Sequence, residues 1–79
     1  MCRNITPLRG LEPPATHEEI DSAARQYVRK VAALSSAGQM ASPAFERAVE
    51  RVAAATADLL AEMPPRRQPP AVLPPLRRR

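Results

Sequence analysis

The sequence predicts an all-α fold: an antiparallel two-helix hairpin with an extended N-terminal arm and a disordered, proline- and arginine-rich C-terminal tail. Three observations predict it. Residues 16–35 and 43–63 each repeat apolar side chains at alternating spacings of four and three. The connector between them, 36–42, is short enough to join only antiparallel neighbours. Nine of the 10 prolines fall outside both stretches, in 1–15 and 64–79, and the other, Pro43, opens the second. The chain therefore divides into an arm (1–15), a hairpin (16–63) and a tail (64–79).

In the arm, Pro7, Gly10, Pro13 and Pro14 forbid a regular helix. Ile5, Leu8 and Leu11 fall three apart and give it an apolar side. Thr16 then caps the first helix, with Glu19 three residues on to complete a capping box. Glu18, Glu19 and Asp21 suit the positive end of the helix dipole. The first seam is Ile20, Ala24, Tyr27, Val31 and Leu34, flanked by Ala23 and Val28. Tyr27 is expected at an edge, because its hydroxyl needs a polar partner. Asp21 and Arg25 stand one turn apart and form an ion pair.

Gly38 is the expected helix terminator, through the left-handed conformation open to glycine. Ser42 and Pro43 restart a helix as N-cap and first residue. The second seam is Phe45, Val49, Val52, Thr56, Leu59 and Met63. Thr56 is tolerable there because its hydroxyl can bond the carbonyl four residues back. Pro64 and Pro65 stop the helix, since the residue before proline is pushed out of the helical region. Beyond them, proline pairs recur every five residues, which favours extended polyproline II without packing.

The 79 residues allow one small domain. Hydrophobic residues make up 44%, but much of that is alanine, with one Tyr and one Phe. Such a hairpin has little apolar area to set against the entropy of ordering its chain. Either the arm packs across it or a second copy completes a four-helix bundle. Net charge is +4, and the tail holds five of the 12 basic residues and no acid, so the rest is nearly neutral. No run approaches the roughly 20 apolar residues of a membrane span, and a single cysteine forms no internal disulfide. The expected setting is the cytoplasm.

Candidate sites are few. Cys2 is chemically distinctive, and Arg3 and Asn4 follow it. Where the initiator methionine is removed, Cys2 carries an amine and a thiol on one carbon, and Arg3 favours the thiolate. His17 is the only histidine, and one Cys with one His falls short of a zinc site. A buried thiol anchoring the arm is the simpler reading. Arg66, Arg67, Arg77, Arg78 and Arg79 suit an anionic surface such as nucleic acid, but no aromatics interleave them for base stacking. Phosphate loops, paired catalytic carboxylates and nucleophile–base sets are absent from the sequence. No catalytic residue, metal ligand or cofactor is assigned.

Several stretches, MCRNI, EPPAT, QYVRKV and FERAV, resemble a small family known as domain of unknown function 2277, common in actinobacteria. The resemblance covers roughly residues 1–62 and leaves the tail outside. Family members carry an aromatic-rich stretch before EPPAT, where this chain has LRGL, and a different connector. The resemblance implies a bacterial cytoplasmic protein. It marks Cys2, Arg3, Asn4 and Glu12 to Thr16 as motif positions without giving any of them a role. The expected function is a non-enzymatic interaction module, binding itself or another protein through apolar helix faces. Two alternatives stand beside it: a nucleic-acid accessory protein using the basic tail, and a thiol or metal site at Cys2.

Overall fold

The structure is a computed structural model that describes residues 5–64 and 73–77. Among them every regular element is helical: α1 (His17–Val31), α2 (Ala37–Met40), α3 (Pro43–Glu62) and a 3-10 turn at Pro75–Arg77. The capping box forms as expected. The Glu19 amide donates to Thr16 Oγ1 at 3.1 Å, and the Thr16 amide donates to Glu19 Oε1 at 2.9 Å.

α1 ends at Val31, four residues before the expected end, and Gly38 is not its terminator. The left-handed residue is Ala33, with φ 55°. Its amide donates to the Lys30 carbonyl and the Leu34 amide to the Arg29 carbonyl, at 3.2 and 3.0 Å, which is the Schellman pattern. Leu34 is thereby turned back onto the core. Gly38 lies inside α2 instead, where Ser36 and Gln39 make a second capping box. One turn of helix thus occupies the stretch read as a connector.

α3 starts on Ser42 and Pro43 as predicted, with the Phe45 amide donating to Ser42 Oγ at 3.2 Å. It ends where Met63, ahead of Pro64, turns extended. α1 and α3 pack antiparallel: Arg25 near mid-α1 meets Glu46 at the start of α3, and Ile20 at the start of α1 lies near Leu60 at the far end of α3.

The core is smaller and differently registered than the seams suggest. Ile20, Ala24 and Val28 of α1 meet Phe45, Val49 and Ala53 of α3. Tyr27 is 51% exposed and Val31 67%, and Leu59 and Met63 are exposed too. A sustained four-three seam belongs to helices wound along each other. Here each helix buries a single ridge of residues four apart. Tyr27 does take the edge position expected of it, and Thr56 Oγ1 donates to the Val52 carbonyl at 2.7 Å.

The arm straps the hairpin. Leu11 is buried, and Leu8 and Ala15 pack against the core. Gly10, with φ 94°, makes the turn between Leu8 and Leu11 in a conformation that glycine alone enters freely. The peptide bond between Glu12 and Pro13 is cis.

Candidate functional site: an apolar groove and an arginine clasp

The two flanks of the hairpin differ in chemistry. One is closed by charge. Arg25 Nε donates to Asp21 Oδ2 at 2.7 Å, and its two terminal nitrogens donate to the two carboxylate oxygens of Glu46 at 3.1 and 2.9 Å. Its guanidinium carbon stands 5.8 Å from the centre of the Phe45 ring. The hydrogen bonds that Arg25 donates, to Glu46 first and then to Asp21, hold its pKa above the ordinary value. The Asp21–Arg25 pair was legible from its spacing; Glu46 was not, since nothing in the sequence gives the rotation of one helix against the other.

The other flank is open and apolar. A groove of about 340 Å³ lies between Ile5 and Leu8 of the arm, Ala23 and Tyr27 of α1, and Val52, Thr56 and Leu60 of α3. Among the described residues no charged side chain lines it. Its polar groups are hydroxyls: that of Thr56 bonds its own helix, Thr6 Oγ1 is buried without a partner among the described residues, and Tyr27 brings a third.

Beside the groove, at the start of α1, lies a clasp. The Glu19 side chain is buried, at 3% exposure, and Arg77 meets it from the tail. Arg77 Nε donates to Glu19 Oε2 at 2.5 Å, and Nη2 donates to Glu19 Oε1 at 3.0 Å. Nη2 also reaches the carbonyl oxygens of Pro13 at 2.8 Å and Pro14 at 3.2 Å. The hydrogen bond from Arg77 holds the Glu19 carboxyl below its ordinary pKa, against the upward push of burial. The tail was expected not to pack. Its described part, 73–77, does: Pro74 is buried, and Pro75 and Leu76 lie near Thr6, Ser22 and Ala23.

The sequence-predicted site residues fare unevenly. Cys2, Arg3 and Asn4 lie outside the described residues, as do Arg66, Arg67, Arg78 and Arg79. Arg77, grouped with them as an anion-binding candidate, has its fork engaged by a carboxylate. His17 is exposed at the start of α1. No group of three or more His, Cys, Asp or Glu side chains among the described residues is arranged to hold a metal ion. No helix among them is long and apolar enough to cross a membrane. Glu12 to Thr16 gain a structural role: the EPPAT stretch supplies the two proline carbonyls of the clasp and the N-cap of α1.

A family described as an uncharacterized conserved protein, DUF2277, matches this chain over residues 1–79. The chain belongs to that family. No curated protein and no solved structure matches it. The DUF2277 match extends through the tail, beyond the residue 62 at which the resemblance was expected to stop. The structure offers a physical counterpart, because Arg77 of that tail is bonded to the EPPAT stretch and to Glu19.

Proposed function

We propose that this protein is a non-enzymatic interaction module that associates with a second copy of itself through the apolar groove. The setting taken is the bacterial cytoplasm, as the family resemblance implies. The observation that carries the reading is the asymmetry of the hairpin. Arg25 and its two carboxylates close one flank, while Ile5, Tyr27, Val52 and their neighbours are left open on the other.

Two further features favour a second copy as the occupant. In a two-fold dimer the same patch serves both subunits, so a patch dominated by one sign of charge repels its image. Among the described residues this groove has no charge to repel. The single chain is also poorly supplied with core, since among the described residues Val49 is the only large side chain that is fully buried. Small domains of this kind commonly gain their missing burial by association.

A dimerisation-linked fold melts at higher temperature as protein concentration rises. The melting temperature is expected to climb between micromolar and hundred-micromolar protein, and Tyr27→Asp to abolish the dependence. A melting temperature independent of concentration would remove the proposal.

A further inference from the structure

We infer that the Glu19 carboxylate and the carbonyl oxygens of Pro13 and Pro14 form a receptor for a guanidinium group, with Arg77 as its own-chain ligand. Three properties distinguish this place from an ordinary surface ion pair.

The acceptors are held in position by local structure. Glu19 Oε1 takes the Thr16 amide at 2.9 Å, so the helix cap orients the carboxylate whether or not an arginine is present. The carbonyls of Pro13 and Pro14 precede α1, where no amide of the helix reaches them. The acceptors also match a planar fork. Nε and Nη2 take the two oxygens of one carboxylate side by side, and Nη2 has a second hydrogen to share with the proline carbonyls. A lysine ammonium, a compact point charge, cannot reproduce that side-on pairing. Finally, the carboxylate is buried. A buried anion without its cation is costly, so the site favours being filled. By contrast, both members of the Arg25–Glu46 pair are more than two-fifths exposed on regular helices.

The consequence is a releasable strap. Residues 73–77 are held over the arm by a side-chain ligand in a preformed site, and another guanidinium can compete for or replace it. Chemical rescue tests this in the full chain. Arg77→Gly is expected to melt below the wild-type protein. Ethylguanidinium at tens of millimolar should restore part of the lost melting temperature, along a saturating curve. Ethylammonium at the same concentration should not, and neither compound should rescue the Glu19→Gln/Arg77→Gly double variant. If Arg77→Gly is unfolded, the same comparison is read as recovery of helical circular dichroism. On the wild-type protein, the Arg77 Nε–H, assigned by its absence in Arg77→Gly, should exchange slowly with water by NMR and lose that protection in Glu19→Gln. Equal rescue by both compounds, or an unprotected Arg77 Nε–H, would overturn the inference.

Discussion

Ala33 sits at φ 55°, where a Cβ costs roughly 1–2 kcal/mol and glycine is unhindered. Glycine also gains freedom in the unfolded chain, which offsets part of the relief. Ala33→Gly should therefore stabilise the fold by about 0.5–1 kcal/mol, measured as a higher urea midpoint at unchanged slope. Nothing in the local residue types singled out Ala33, and Gly38 was the natural expectation for a left-handed position. The competing signal was present: Ser36 and Gln39 have the spacing of a capping box, which starts a new turn and forces the old helix to end before it. Glu19 carries a pH signature. Its carboxyl titrates below the ordinary range in the folded chain, chiefly because of Arg77. Its contribution is thus complete above the unfolded pKa near 4.5 and is lost as pH falls through the depressed folded value. Glu19→Gln can keep the cap while losing the charge. It is expected to be less stable than wild type by about 1.5–3 kcal/mol at pH 7, as befits a charged hydrogen bond, with the gap narrowing as the pH falls below 4.5 and through the depressed folded value. Equal stability at pH 7 would show that the clasp contributes nothing. The cap role of Glu19 was legible from Thr16 three residues before it. Its cation was not, because Arg77 is 58 residues away and one of 12 basic residues that could have met it.

At the scale of elements, both long helices were readable, because capping residues, proline and apolar recurrence agreed at each start. Their mutual rotation was less so. Val28, a flanking position of the first stripe, is core, whereas Val31 and Leu59, on the two seams, are exposed. A stripe wide enough to hold both sets cannot decide between a wound seam and a single buried ridge; only the crossing of the two helices does. Arg25 and Glu46 register that crossing geometrically, yet their energetic weight is small. Their side chains are 43% and 46% exposed, so water screens the pair. A double-mutant cycle with Arg25→Ala and Glu46→Ala should return a coupling below about 1 kcal/mol. A coupling of several kcal/mol would mean that the charged flank, and not the apolar ridge, sets how the helices pack.

For the whole molecule, the hairpin, its arm and the described part of its tail touch one another. The arm buries Leu11 and supplies two clasp carbonyls, and the tail returns Arg77 to the first turn of α1. Proline pairs argued for an extended tail and said nothing of where its arginines would go. The uneven charge of the two flanks was equally hidden, because it depends on which residues α1 and α3 bring to the same side. The shortage of core, by contrast, followed from composition alone, and among the described residues an apolar groove without charged lining lies at Tyr27, Val52 and the arm. Sedimentation equilibrium of the full chain at micromolar concentration addresses that groove most directly. The wild-type protein should sediment as a dimer or larger species, and Tyr27→Asp as a monomer that keeps its helical signal. A wild-type chain that stays monomeric throughout that range and melts sharply would contradict association through this face.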